Sequence, residues 1–408
     1  MTMRARTLSV FILAALAAHA GAQSRPAPDF ASSFEANEPQ PQLKPADGNI
    51  ALAIGDGPES PYNAKAKAGY SGLRALRYEG RDTGGRARLF AMDIPVDANT
   101  TLSWLVLPEI VAGDTIASTG VGIDLVFDDG RRLSQLDARD QHGAGITAAE
   151  QAASKMLYPQ QWARKQVHVG GIAALRGHRI RAIEVELQPV AGAKAQGWID
   201  DIAITSQPRI ANTHPSDDVL TTRGTQSNGT FSRGNNFPAT ALPHGFNFWT
   251  PLTDAGTLGW LYRWNEGNDG DNRPRLQALA LSHEPSPWMG DRQTFQVMPS
   301  LATREPEADR KKRALPFSHD NEVARPYLYG VHFDNGITAE IAPTDHGALF
   351  RFRFPTDDGK SGSTLLFDNV DARGGLTLDP ATQTLSGYTD TRSGLSNGAA
   401  RMYVYARF

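Results

Sequence analysis

Cysteine is absent from the 408 residues, and this absence excludes disulfides, thiolate metal sites and cysteine nucleophiles. The chain also lacks an excess of positive charge, since 41 Lys and Arg against 44 Asp and Glu give a formal net charge of −3. Because no basic surface attracts phosphate backbones, we expect no nucleic-acid partner. A Gly-x-x-x-x-Gly-Lys-Ser/Thr phosphate-binding loop is missing as well.

Long apolar runs are also missing, apart from a short one near the N-terminus. Arg4 and Arg6 precede the apolar run Leu8–Ala18, and Ala20-Gly21-Ala22 follows it. This pattern predicts a cleavable signal peptide over residues 1–22 and a secreted or periplasmic protein, with a buried helix as the alternative. A membrane-spanning helix needs about 20 apolar residues, so we expect no membrane partner.

Residues 28–206 have the pattern of a β-sandwich. Glycine (39) and proline (26) are frequent, and apolar residues alternate with polar ones over short stretches. One helix is predicted from Thr147 to Leu157, because Thr147 and Glu150 form a capping box. Asp128-Asp129-Gly130 predicts a tight hairpin after Val121–Phe127. The predicted strands are Leu89–Ile94, Thr101–Leu107, Val121–Phe127, Ile180–Leu187 and Trp198–Ile204.

Acidic residues mark both ends of this segment. It starts with Ser33-Phe34-Glu35 and ends with a strand that contains Asp200 and Asp201. These ends resemble those of the galactose-binding-like jelly rolls of carbohydrate-binding modules, whose first and last strands are neighbours. The resemblance implies one structural calcium held by Glu35, Asp200 and Asp201, since hard cations prefer several oxygen ligands. Alternatively, the three residues are solvated strand-end carboxylates.

A polar stretch from Gln207 to Arg223 indicates a linker to a second domain, residues 223–408. Four of the seven tryptophans fall between residues 224 and 300, in segments rich in Gly, Asn and Asp. Such loops are typical of sugar recognition, because aromatic faces cover pyranose C–H surfaces while amides and carboxylates bind hydroxyls. Burial of the tryptophans in a core is the alternative interpretation.

Four ordered blocks in this domain carry a family resemblance. They are Asn235–Phe246, Leu279–Asp291 with the following Val297-Met298-Pro299, Phe317–Tyr327 (Phe-Ser-His-Asp-Asn-Glu-Val-Ala-Arg-Pro-Tyr), and Gly336–Ile341 leading to Phe354-Pro355. In this order they resemble segments of glycoside hydrolase family 92, over roughly residues 224–408. The resemblance implies secreted, calcium-dependent, inverting exo-α-mannosidases that trim N-glycans and yeast mannans. In that family a β-sandwich precedes an (α/α)6 barrel, which carries most of the acid, base and calcium ligands.

The expected fold is therefore all-β, with two β-sandwich domains in tandem, the second being the distorted sandwich of the family's N-terminal domain. No long amphipathic helical pattern follows residue 300, so the catalytic (α/α)6 barrel is expected to be absent, and no catalytic residue is assigned. The substrate-binding candidates are His244, His283, Trp288 and Asp291. Trp288 would stack on a sugar, Asp291 would accept a hydroxyl hydrogen bond, and each histidine would donate one. Alternatively, these proline-rich loops only dock the two domains.

The main functional hypothesis is the carbohydrate-binding, substrate-pocket part of a secreted α-1,2-mannosidase. Its partners would be mannose-containing glycans and a helical-barrel domain, and it would not be catalytically competent alone. The alternative is a stand-alone secreted carbohydrate-binding protein that uses the first sandwich. In a third hypothesis both sandwiches have a purely structural role and bind no ligand.

Overall fold

The structure is a computed structural model. It describes residues 27–43, 49–112, 116–190, 192–208, 214–227, 232–234, 236–256, 260–264, 267–282, 292–355, 362–368, 373–390 and 401–408. The predicted signal peptide, residues 1–22, lies outside these ranges. Within them, no helix combines the length and apolar character needed to cross a membrane. The architecture is all-β, as the sequence predicts, and a helical barrel is not evident among the described residues.

Nine described strands between residues 30 and 205 form two antiparallel sheets that face each other. Their bounds are Phe30–Ser32 (β1), Ile50–Gly55 (β2), Ala75–Asp82 (β3), Gly85–Pro95 (β4), Thr101–Pro108 (β5), Val121–Phe127 (β6), Ala163–His168 (β7), Arg179–Leu187 (β8) and Gly192–Thr205 (β9). The larger sheet has the order β2-β3-β9-β5-β7, with β1 also paired to β9, and the smaller sheet is β4-β8-β6. Tyr78, Trp104, Phe127 and Ile183 are buried in the core between them. All five predicted strands are present.

Strand β9 contains a β-bulge at its two aspartates. Three residue steps of β9, from Asp200 to Ala203, lie opposite two steps of β5. Asp201 has a left-handed backbone with φ 46°. Strict alternation would place Ile199 and Ile202 on opposite faces of the sheet, but the extra residue lets both enter the core, where each is fully buried.

The one described α-helix is α1 (Ala148–Ser154), which begins where the capping box predicts. Thr147 Oγ1 accepts the N–H of Glu150 at 3.2 Å. The helix is shorter than predicted because Lys155 has a left-handed backbone (φ 55°) that ends it before Leu157. Described 3-10 turns are Ala117–Thr119, Leu133–Leu136, Val169–Gly171, Ala173–Leu175 and Pro215–Asp218. The tight turn at Asp128–Gly130 is confirmed by a φ of 82° at Gly130, although a 3-10 turn follows it instead of a strand.

The connection between β2 and β3, residues 56–74, packs on the outer face of the larger sheet. Trp162, next to β7, donates its indole N–H to Asn63 Oδ1 at 2.5 Å, and its ring meets that of Tyr70 edge to face. Trp162 also packs against Leu107 and Trp198 on this face. The end of the connection is thereby held beside the β9 bulge.

Fourteen described strands between residues 226 and 407 form the second domain. Their bounds are Gln226–Ser227 (β10), Ser232–Arg233 (β11), Phe248–Leu252 (β12), Arg275–Leu276 (β13), Ala278–Ser282 (β14), Arg292–Ser300 (β15), Leu315–Arg325 (β16), Leu328–Phe333 (β17), Thr338–Pro343 (β18), Ala348–Arg353 (β19), Thr364–Asp368 (β20), Gly374–Asp379 (β21), Thr384–Thr389 (β22) and Met402–Arg407 (β23). They form the sheets β12-β14-β15-β20, β13-β16-β17-β18-β19 and β21-β22-β23 and the hairpin β10-β11. One core joins the three sheets and contains Trp249, Phe295, Tyr329 and Leu385.

Strand β16 is also irregular. Phe317 pairs with Phe333 and Glu322 pairs with Val331, so five steps along β16 lie opposite two steps of β17. The segment between these pairs leaves the regular ladder and carries His319. A bulge of this kind redirects side chains that a straight strand would place on alternating faces.

A buried ion pair ties the loop before α1 to β7 in the first domain. Lys165 Nζ lies 2.7 Å from Asp140 Oδ2, and both side chains are almost fully buried. Burial alone would raise the pKa of Asp140, but Lys165 and the backbone N–H of His142 outweigh it and hold that pKa below its usual value. The Asp140 carboxylate is therefore charged at neutral pH.

We predict that Lys165→Met destabilises the protein by about 3–5 kcal/mol, because it leaves the Asp140 carboxylate buried and unpaired. Urea unfolding of the full chain measures the change. Arg139→Met is the matched control, since the exposed Arg139–Asp137 pair in the same loop contributes at most about 1 kcal/mol. Equal effects of the two substitutions would contradict the assigned role of the buried pair.

Candidate functional site

His244 lies in an exposed turn just before β12, here called the His244 turn (residues 242–247). Gly245 donates its N–H to the carbonyl of Leu242 at 3.0 Å, and His244 has a left-handed backbone with φ 62°. The His244 side chain is exposed. An imidazole in this position is accessible to a ligand from solvent.

The His244 turn is fastened to the turn between β18 and β19. The N–H of Phe246 bonds to the carbonyl of Asp345 at 3.0 Å, and Asn247 Nδ2 donates to the carbonyl of His346 at 2.6 Å. The Phe246 ring stacks on the His346 ring with centroids 4.5 Å apart, yet Phe246 remains 64% exposed. The two turns therefore present an aromatic face beside His244.

The other three predicted substrate residues, His283, Trp288 and Asp291, lie outside the described residues. In sequence they lie between the end of β14 and the start of β15. Phe248 pairs with Ser282, so the end of β14 adjoins the start of β12; Ser282 also pairs with Arg292, so the start of β15 lies one strand further along the same sheet. The strand ends that flank these three residues thus reach the edge of the sheet that carries the His244 turn.

A wide apolar groove runs between β19 and β23. Its volume is about 740 Å³, and its lining includes Trp249, Phe350, Phe367 and Val404 together with Asn247 of the His244 turn. Three side chains along it, Leu349, Tyr403 and Tyr405, are largely exposed. The apolar lining of the groove is therefore partly accessible to solvent.

A buried carboxylate network lies on β16, where sequence analysis assigned no site residue. Tyr262 and Tyr329 each donate a hydroxyl hydrogen bond of 2.8 Å to Glu322, whose side chain is only 2% exposed. His319 Nδ1 lies 2.9 Å from Glu322 Oε2. Burial, with the Glu322 charge second, raises the pKa of both tyrosines well above the usual value, so both phenols remain donors.

Both ring nitrogens of His319 are engaged. His319 Nε2 lies 2.8 Å from the carbonyl of Trp264, and the Trp264 ring stacks on the imidazole with centroids 3.5 Å apart. These contacts hold Glu322 and His319 in place, and Glu322 is too deeply buried to act as acid or base on a ligand in solvent. The sequence could have suggested that His319 and Glu322 interact, because they lie three residues apart in the Phe317–Tyr327 block. No sequence feature indicated that Tyr262 joins them.

The three predicted calcium ligands lie around one loop of the first domain, residues 69–74, here called the junction loop. Strand β1 pairs with β9, as the resemblance implied, and this pairing brings Glu35 close to the β9 aspartates. Glu35 Oε1 accepts the backbone N–H groups of Leu73 at 2.7 Å and Arg74 at 2.8 Å. One end of the junction loop is thereby attached to Glu35.

Asp200 and Asp201 hold the other end of the junction loop. Asp200 Oδ2 accepts the N–H groups of Tyr70 at 2.7 Å and Ser71 at 3.3 Å, and Asp201 Oδ2 accepts the Ser71 hydroxyl at 2.8 Å. Burial, then the neighbouring Asp201 charge, raises the pKa of Asp200 well above its usual value. Burial also raises the pKa of Asp201 to about 6.

These carboxylates are the right chemistry for calcium but do not converge into a shell. Oε1 of Glu35 and both oxygens of Asp200 already accept backbone N–H groups. A different group among the described residues meets the distance requirement for a metal site. Its ligand atoms lie within 4.8 Å of one another and come from Asp128, Asp129 and His178. The calcium assignment to Glu35, Asp200 and Asp201 remains a prediction.

A positively charged side chain, Arg131, already lies among Asp128, Asp129 and His178. Arg131 Nε lies 2.5 Å from Asp129 Oδ2, and its Nη2 lies 3.2 Å from His178 Nε2. His178 Nδ1 lies 2.7 Å from Asp128 Oδ1. We interpret the group as a surface ion-pair network around the guanidinium.

The second domain resembles a known protein family. The sequence profile of the glycosyl hydrolase family 92 N-terminal domain matches residues 219–408. A curated relative from Arthroderma benhamiae, an uncharacterized secreted glycosidase, is 27% identical over 141 residues, which is 34% of this chain and 18% of that protein.

Two solved structures from Bacteroides thetaiotaomicron are similar to part of the chain. The family GH92 inverting mannosidase BT2199 is 34% identical over 44% of this chain and 23% of that chain, with a TM-score of 0.37. The family GH92 α-mannosidase BT3965 is 22% identical over 48% of this chain and 26% of that chain, also with a TM-score of 0.37. The matches thus span only about a fifth to a quarter of each relative's length.

The resemblance carried by the four sequence blocks is confirmed by the profile match, whereas the galactose-binding-like resemblance of the first sandwich stays a prediction. Over residues 219–408, the chain matches the glycosyl hydrolase family 92 N-terminal domain.

Proposed function

We propose that the second domain is the substrate-facing part of a secreted α-mannosidase that acts on α-1,2-linked mannose in glycans. The observation that carries this proposal is the family match over residues 219–408. The bond-breaking carboxyl groups and the catalytic calcium would come from a helical-barrel domain that packs against this one. The first domain would brace the second.

The His244 turn supports a role in sugar binding. An exposed imidazole donates to hydroxyl groups, and the exposed ring of Phe246 offers a face for pyranose C–H groups. His283, Trp288 and Asp291 are proposed to join this site from the neighbouring strand ends, with Trp288 stacking and Asp291 accepting a hydroxyl hydrogen bond.

The groove between β19 and β23 supports a partner domain. It adjoins the His244 turn through Asn247, and the exposed rings of Tyr403 and Tyr405 lie along it. A helical domain covering this apolar surface would place its own side chains beside His244. The substrate would then be bound between two domains, a common location for ligand sites.

The environment of three second-domain carboxylates supports the proposal that another domain supplies the catalytic acid and base. Inversion needs one carboxylic acid and one carboxylate about 6.5–9.5 Å apart, both able to reach the substrate. Three less exposed carboxylates among the described residues are engaged: Glu322 with tyrosines, Glu340 with Arg351, and Asp368 with Arg310 and Arg313. None of the three is available to act as acid or base.

We predict that His244→Ala weakens binding of α-1,2-mannobiose to the full chain by about tenfold, the scale of one lost hydrogen bond to a ligand. Isothermal titration calorimetry measures the affinity. His332→Ala is the matched control, because His332 is an exposed histidine on β17 of the same domain. Equal affinities for wild type and His244→Ala would remove His244 from the site.

We also predict that the full chain by itself releases no mannose from α-1,2-mannobiose, because the bond-breaking carboxyl groups are proposed to lie on the helical-barrel domain and Glu322, Glu340 and Asp368 are engaged. Chromatography of free mannose after long incubation tests this. Binding without turnover agrees with either the proposed role or the alternative of a stand-alone carbohydrate-binding protein. Turnover that persists with a chelator present would refute both the partner-domain and the catalytic-calcium parts of the proposal.

For the first domain, we propose a structural calcium held by Glu35, Asp200 and Asp201, whose oxygens would exchange some of their present backbone hydrogen bonds for the cation. Two adjacent buried aspartates repel each other, and a cation would relieve that repulsion. We predict that saturating calcium raises the melting temperature of chelator-treated protein, since binding to the folded state stabilises it by mass action. The Glu35→Gln, Asp201→Asn double variant should lose the rise; an unchanged wild-type melting temperature would count against the site.

A further inference from the structure

The junction loop, residues 69–74, lies between the carboxylates of its own domain and side chains of the second domain. We infer that this loop is a preorganised docking platform that fixes the orientation of the second domain through Asn272 and Trp264. The inference rests on described contacts and is independent of the proposed mannosidase role. Domains joined by a linker move relative to each other by default, so a fixed orientation requires specific contacts.

The first domain orders the junction loop without help from the second. Glu35 accepts two backbone N–H groups at one end of the loop, and Asp200 accepts two at the other. Hydrogen bonds are stronger in the low dielectric of a protein interior, and Asp200 is fully buried. With its N–H groups directed inward, the loop has carbonyl groups left for a partner.

Asn272 of the second domain binds those carbonyl groups. Its Nδ2 donates to the carbonyl of Gly69 at 3.0 Å and to that of Gly72 at 2.6 Å, and the residue is only 5% exposed. Asn268 fixes the orientation of this amide by donating to Asn272 Oδ1 at 3.1 Å. The N–H of Asn268 also bonds to the carbonyl of Ala64, at 3.2 Å.

Trp264 extends the contact into the core of the second domain. Its indole N–H donates to the Tyr70 hydroxyl at 3.4 Å, and its ring stacks on His319. His319 in turn contacts the buried Glu322. A chain of contacts thus leads from the β9 bulge through the junction loop to the buried network on β16.

The test uses the full chain with Asn272→Gly. Asn272 has a left-handed backbone (φ 58°), which glycine adopts without strain, so this substitution removes the amide and leaves the backbone intact. Hydrogen exchange followed by mass spectrometry should show about tenfold faster exchange for residues 260–264 and 316–322, the scale of losing one or two buried hydrogen bonds. Exchange of junction-loop amides should stay slow, because Glu35 and Asp200 hold them.

Three further variants keep the test decisive. Asn247→Ala is the matched control, since its amide also donates to a backbone carbonyl but lies away from the junction. Trp264→Phe removes the indole N–H, keeps a ring on His319, and should produce a milder form of the same effect. Glu35→Ala should speed exchange in both the junction loop and the second-domain segments.

Calorimetry gives a second readout. The wild-type chain should unfold in one cooperative transition, and Asn272→Gly should split it into two. Unchanged exchange in Asn272→Gly, an equal effect of Asn247→Ala, or two transitions already present in the wild type would each overturn the inference.

Discussion

The β-bulge in β9 is the constraint on which the arrangement of this chain depends. One extra residue lets Ile199 and Ile202 both enter the core while two consecutive aspartates contact the same loop. In a regular strand, adjacent side chains point to opposite faces, and only one aspartate would reach the junction loop. Pairing of β1 with β9 then brings Glu35 to the other end of that loop. The cost of burying Asp200 is offset by three backbone N–H groups.

A second irregular strand organises the other domain. The bulged segment of β16 brings His319 and Glu322 together, and the tyrosines that satisfy Glu322 come from β17 and from the segment before β13. A buried carboxylate with three partners rigidifies a core when every partner is present and destabilises it when one is missing. The network is therefore suited to holding Trp264 against the first domain, and unsuited to proton transfer.

In the second domain, the buried polar network and the exposed polar side chains lie in different places. The buried group on β16 faces the first domain, whereas His244, Phe246 and the apolar groove are exposed at other edges of the sheets. This separation leaves a second surface of the domain accessible to a ligand or a partner. Two hydrogen bonds to backbone carbonyls anchor the His244 turn to the turn at Asp345 and His346.

The sequence determined the local features of the chain, because they depend on neighbours a few residues apart. Alternation predicted Val121–Phe127, found with identical bounds as β6, and the Thr147–Glu150 capping box predicted the start of α1. The Phe-Ser-His motif and its neighbours predicted the family of the second domain. The resemblance to galactose-binding-like modules also implied that Glu35, near the first strand, lies close to Asp200, on the last strand of the first domain.

Tertiary structure alone decided the rest. Bulges are not visible in an alternating pattern, so the shared orientation of Asp200 and Asp201 and the meeting of His319 with Tyr262 could not be predicted. Asn272 contacts the junction loop about two hundred residues away, and no local signal marks an asparagine as a donor to distant carbonyls. Hydrogen bonds between distant segments form only once both domains are packed, and this packing made Glu322 a buried structural group and left His244 accessible.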